Sequence, residues 1–204
     1  YRLLQKPIPD ELFVSNITTA ETVVTQTTPV ALIRPLLDGE ESSYFEWLGA
    51  GALEVRSMAG AMHQTERQVL VTQLRFGFDD ASLYLRIDAT RPFRELHSEG
   101  LSLQVTFLTP RGARVRLAHP GAAAFLREGD QWLQERREDV RVAVGSIVEL
   151  AVPLSWLGAE AGGELTFFVT MCDAAGVELE RHPVSRPVRL HVPDAQFAAR
   201  NWTA

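Results

Sequence analysis

Leu101-Ser102-Leu103-Gln104-Val105-Thr106-Phe107 is the stretch on which the architecture turns: apolar and polar residues alternate without a break. In an extended chain successive side chains point to opposite faces, so one row meets a core and the other meets water. Toward the N-terminus the pattern recurs in Leu83, Leu85 and Ile87, and before them in Leu70, Leu74, Phe76 and Phe78. Asp79-Asp80-Ala81-Ser82 lies between these two runs and supplies the turn chemistry of a hairpin. Toward the C-terminus come Val115 and Leu117 flanked by Arg114 and Arg116, then Val140, Val142 and Val144, then Val148, Leu150 and Val152. Leu165, Phe167, Val169 and Met171, and finally Val188, Leu190 and Val192, bring the total to at least eight strands. Helical periodicity is confined to one or two turns around Ser155-Trp156-Leu157 and Ala195-Gln196-Phe197-Ala198. Many short strands without alternating helices predict an all-β chain, a two-sheet antiparallel β-sandwich. The sandwich is expected over residues 30–193, with a linker or edge segment at 1–29 and a tail at 194–204 that packs Phe197 and Trp202 on its outside.

Composition narrows the function. The 204 residues are 46% hydrophobic and 23% charged, ordinary proportions that exclude disordered and fibrous classes. A net charge of −6, with acids interleaved among Arg114, Arg116, Arg136 and Arg137, argues against a nucleic-acid partner. No apolar run is long enough to cross a membrane, so no membrane partner is expected. The single cysteine, Cys172, follows the apolar run Leu165 to Met171 and reads as a small buried hydrophobe. The chain opens on Tyr1-Arg2-Leu3-Leu4 and therefore reads as part of a longer polypeptide.

Catalytic constellations are not found. There is no Gly-x-Ser-x-Gly elbow, phosphate-binding loop, His-Glu-x-x-His pair or cysteine cluster, and the five histidines are scattered singly. Asp79 and Asp80 are adjacent, so in a hairpin they diverge and serve the turn. The tryptophans bear on sugar binding, because aromatic rings stack on the apolar faces of pyranoses. Trp156 sits between Leu154 and Leu157 and is expected in the core. Trp132, in the polar stretch Glu128-Gly129-Asp130-Gln131-Trp132-Leu133-Gln134-Glu135, is the foremost ring for stacking on a sugar. Trp47, within Tyr44-Phe45-Glu46-Trp47-Leu48, is the second sugar-binding candidate and His63 the third; Met62-His63 is also the one local hint of a haem ligand. Asp38, in Asp38-Gly39-Glu40-Glu41, offers a carboxylate to calcium on a flexible turn, although nothing requires a cofactor.

Several blocks carry a family resemblance. Leu37-Asp38-Gly39 with Tyr44-Phe45-Glu46-Trp47, Leu74 to Asp79 with Leu83 to Asp88, Glu149 to Gly158, and Phe168 to Asp173 resemble carbohydrate-binding module family 9, of the DOMON-like β-sandwich group. The strings Tyr44 to Gly51, Gly60-Ala61-Met62-His63 and Pro7 to Phe13 look like the C-terminal region of bacterial glycoside hydrolase family 57 proteins. That resemblance implies an accessory domain of an α-glucan-active enzyme, with a catalytic domain upstream in the same polypeptide and no catalytic residue here. It also implies the bacterial cytoplasm as location and an α-glucan as the carbohydrate partner. The alternative is a structural module that packs against a catalytic barrel or a partner subunit without binding sugar.

Overall fold

Twelve strands, three short α-helices and one 3-10 helix (Tyr44–Trp47) make up the described part of the fold in a computed structural model that describes residues 26–55, 69–119 and 121–201. One antiparallel sheet has five strands in the order β1 (Gly51–Glu54), β2 (Val71–Phe78), β3 (Ser82–Ala89), β9 (Val148–Pro153) and β8 (Arg141–Val144). The other has seven. Its order is β11 (Glu178–His182), β10 (Glu164–Cys172), β4 (Ser102–Thr109), β5 (Ala113–Ala118), β6 (Gly121–Glu128) and β7 (Gln131–Glu135), with β12 (Val188–His191) also on β10. β12 pairs with the first half of β10 and β11 with the second, while β4 takes the opposite edge. The predicted all-β, two-sheet antiparallel sandwich is therefore the observed architecture.

The alternation read from sequence fixes which side chains meet. Leu74, Phe76, Phe78, Leu83, Leu85, Ile87 and Leu150 from one sheet are buried against Leu103, Val105, Phe107, Val115, Leu117 and Phe167 from the other. Phe167 anchors the middle, edge-on to Phe76 at 6.0 Å and tilted on Phe107 at 5.9 Å. Each such ring removes 150–250 Å² of surface from water, so this cluster dominates the driving force for stacking the sheets. Two helices plug the ends: α1 (Phe93–Ser98) buries Phe93 and Leu96, and α2 (Leu154–Leu157) buries Trp156 and Leu157. Trp156 is thus in the core as expected, its indole N–H donating to Glu135 at 3.0 Å. α3 (Phe197–Asn201) lies at the end of the described chain with Phe197 half-buried; Trp202 lies outside the described residues.

The sheets are also joined at one side by a carboxylate. Glu180 of β11 accepts the N–H groups of Leu70 and Val71, at 2.9 and 2.8 Å, at the start of β2. Burial pushes its carboxyl up, but His182, with Nε2 at 3.5 Å, and the two backbone donors outweigh that and hold it below the ordinary range. Among the described residues no helix is long and apolar enough to cross a membrane.

Candidate functional site

The outer face of the five-stranded sheet is roofed in part by the chain that precedes β1. This arm joins the sheet edge at Gln26, which bridges Leu53, and at Thr27, whose N–H donates to Ala52 O at 2.8 Å. It then crosses the face, where Ile33 and Trp47 pack with Tyr84 and Ala151 in a second, smaller apolar cluster. Glu149 pins it. This β9 carboxylate, fully buried, accepts the N–H groups of Asp38 and Gly39, both at 3.0 Å, and the indole N–H of Trp47 at 3.2 Å. Burial raises the Glu149 carboxyl against the pull of those three donors. Gly39 is required at this crossing: its φ is +78°, and an added Cβ would sit 2.7 Å from Gly145 N.

Beside the arm the same face opens into a cleft of about 640 Å³. The alternation that sends Leu74, Leu85 and Ile87 inward sends Gln73, Arg75, Arg86 and Asp88 outward onto adjoining strands. Asp88 and Arg86 form the floor: Arg86 Nε donates to Asp88 at 2.8 Å, and Arg86 also meets Glu41 of the arm at 3.2 Å. Burial raises the Asp88 carboxyl despite Arg86 beside it. Arg75 Nε donates to the Gln73 side-chain oxygen at 2.8 Å. Glu54 of β1 and Arg91 complete the charged lining, so three carboxylates (Glu41, Glu54, Asp88) face three guanidiniums (Arg75, Arg86, Arg91). Among the described residues these formal charges balance, and the lining presents donors and acceptors in planar pairs.

The residues singled out by sequence fall elsewhere. Trp47 is 3% exposed under the arm and has no open ring face, which corrects its reading as a ring for stacking. The cause is its partner: Glu149 lies 102 positions away, and its buried carboxylate draws the indole N–H inward. Trp132 lies on β7, an edge strand paired to β6 through a turn at Gly129. Its half-buried ring faces outward on the seven-stranded sheet and carries the Arg114 guanidinium 4.1 Å from its centroid. Asp38 spends its oxygens locally, one on the Glu40 N–H at 2.8 Å and one on the Ser42 hydroxyl at 2.6 Å. No group of three metal-ligating side chains converges among the described residues. His63 lies outside the described residues. Asp79 caps its hairpin turn through the N–H groups of Ala81 and Ser82, at 2.8 and 2.7 Å. The cleft was not singled out from sequence; the signal available was the outward row Gln73, Arg75, Arg86, Asp88 on two strands already read as a hairpin.

No family model matches the chain, and no curated protein matches it. Among solved structures it is similar to a carbohydrate binding module family 9 domain from Caldicellulosiruptor kristjanssonii, in complex with cellotriose. The identity is 14%, the match covers 78% of this chain and 80% of that one, and the TM-score is 0.42.

Proposed function

We propose that this chain is a non-catalytic carbohydrate-binding module that takes a neutral saccharide in the cleft on its five-stranded sheet. The observation that carries this reading is the lining itself. Its three carboxylates oppose a phosphate or other anion, and its three guanidiniums oppose a cation, so the ligand it suits is uncharged. A sugar hydroxyl both donates and accepts, and neighbouring hydroxyls bridge the two oxygens of a carboxylate or two nitrogens of a guanidinium. The volume fits one or two sugar rings, within the range of small-molecule sites. Val55, Ile147 and Pro92 provide apolar wall, but among the described residues no aromatic ring lines the cleft, which sets the affinity in the millimolar range. The resemblance to family 57 C-terminal regions makes an α-glucan the preferred saccharide, an upstream catalytic domain of the same polypeptide the partner, and the bacterial cytoplasm the setting.

A specific observation favours a second role beside this one. The arm exposes Tyr44 at 70%, Phe45 at 76% and Leu36 at 63%, large apolar side chains that suit packing on the upstream domain or a partner subunit. Isothermal titration of maltotriose, with cellotriose alongside, tests the first reading. Saturable binding at millimolar sugar that weakens about tenfold in Gln73→Ala or Arg75→Ala is expected. Silence of the parent chain toward every neutral saccharide at tens of millimolar overturns it. Tyr44→Ser and Phe45→Ser leave that titration unchanged and act on association with the upstream domain.

A further inference from the structure

The outer face of the seven-stranded sheet is built differently and is not part of the cleft. Leu103, Val105 and Phe107 of β4 and Val115 and Leu117 of β5 point inward, so Ser102, Gln104 and Thr106 and their neighbours Arg114 and Arg116 point outward. Arg114 is held by its Nε, which donates to the Thr106 hydroxyl at 3.2 Å, and by its stacking on Trp132. Neither terminal nitrogen of its fork meets an acceptor among the described residues, and no carboxylate lies within ion-pair distance. Arg116, two residues on and on the same face, meets no acceptor among the described residues, and its Nε is buried. Two like charges side by side in partly dry surroundings repel each other, and burial together with Arg116 lowers the Arg114 pKa. Beside them is a second unpaired group. Ser102, 2% exposed and two residues before Gln104, the register partner of Arg116, has a buried hydroxyl without a partner. Glu178 is the acid felt at Cys172 on this face, and it is tied to Arg181 at 2.7 Å.

Buried donors in native proteins find partners, and the buried Arg116 Nε without one marks a missing acceptor. Water supplies an acceptor but not the charge that two adjacent guanidiniums call for. A guanidinium fork matches an oxyanion through paired N–H donors. We infer that Arg114 and Arg116 form an oxyanion-binding site on the outer face of the seven-stranded sheet. The ligand class is a compact oxyanion, either a free inorganic anion or the carboxylate of an acidic sugar. Trp132 is a positioning residue: its ring orients Arg114 and does not itself bind the charge.

Titrating the full chain with sodium glucuronate, sodium sulfate and glucose at constant ionic strength, set with sodium chloride, tests the site by calorimetry and tryptophan emission. Glucuronate and sulfate are expected to saturate with one site per chain. Arg114→Gln and Arg116→Gln each weaken binding at least tenfold, with circular dichroism unchanged. Should either variant fail to fold, Arg114→Lys and Arg116→Lys keep the charge but lose the fork, and weaken binding several-fold. Tighter glucuronate binding assigns the ligand to an acidic sugar; tighter sulfate binding assigns it to an inorganic anion, and both support the site. Gln73→Ala weakens neutral-sugar binding in the cleft and leaves the oxyanion titration as it was, so the two sites fail or stand separately. A response no larger than that of sodium chloride, or one unaltered in both arginine variants, overturns the inference.

Discussion

Arg86 in β3 and Arg114 in β5 occupy comparable places, one on the outer face of each sheet, both walled by neighbouring strands. Arg86 is 5% exposed and ends on two carboxylates, Asp88 and Glu41. Arg114 ends on a hydroxyl and an indole ring, with a second arginine beside it. The difference begins in the strand period. Residues two apart share a face, so Arg86 is followed by Asp88 and its charge is answered locally, whereas Arg114 is followed by Arg116 and the charge doubles. The arm adds Glu41 and closes over part of the first face. One face is therefore a neutral, hydrogen-bonded cleft and the other a positive patch, although the whole chain carries −6. Net charge, which set nucleic acid aside at the level of the sequence, is silent about such local sign.

The arm is where the comparison breaks most sharply. Trp47→Ala empties the pocket beneath it and leaves Glu149 without its indole donor, an expected loss of about 3–5 kcal/mol in denaturant unfolding. A loss under about 1 kcal/mol would mean that the arm does not seal this face. Next in size is the contrast between the two arginines. Arg86→Met strands Asp88 on a buried floor and is expected to cost about 3 kcal/mol, near the lower end for a broken buried pair because Asp88 can escape by taking a proton. Arg114→Met loses a ring contact and one hydrogen bond to the Thr106 hydroxyl, about 1 kcal/mol. Equal costs for the two would end the distinction between a structural and an unsatisfied guanidinium.

Legibility followed contrast between neighbouring residues. Strands that alternate large apolar and polar side chains, such as β2, β3, β4 and β10, stood out and define both inner faces. β6 opens Gly121-Ala122-Ala123-Ala124 and offers no contrast, and β1 has only four residues. β11 reads Glu178-Leu179-Glu180-Arg181-His182, with a charged residue partly buried and a leucine exposed, because Glu180 is turned in to tie the sheets. β7 likewise offers little contrast, an edge strand whose tryptophan faces outward among polar residues. Trp47 was misread for a longer-range reason, since the carboxylate that buries it arrives from β9 only after folding. The cleft draws on the arm, three strands and the loop that carries Arg91, and only its outward pairs on β2 and β3 share a local pattern.

The smallest expected effect separates the sealed face from the rest by its response to pH. Burial raises the folded-state pKa of Glu149 above the ordinary value of 4.5, so the native state holds this proton more tightly than the unfolded chain. Stability contributed by Glu149 is therefore greatest below 4.5 and falls as pH rises through its folded pKa. Glu180 has the opposite sign. Its lowered pKa contributes stability above 4.5 that is lost as pH falls through the folded value. Glu149→Gln keeps one acceptor oxygen and cannot ionise, so its Tm relative to the parent chain should climb as pH is raised from about 4 to 7. For Glu180→Gln the relative Tm should sink as pH rises from acid toward 4.5 and then level off. A Glu149→Gln Tm that falls relative to the parent chain as pH rises would show that the three N–H donors outweigh desolvation, and that the arm is held by an ionised carboxylate rather than against one.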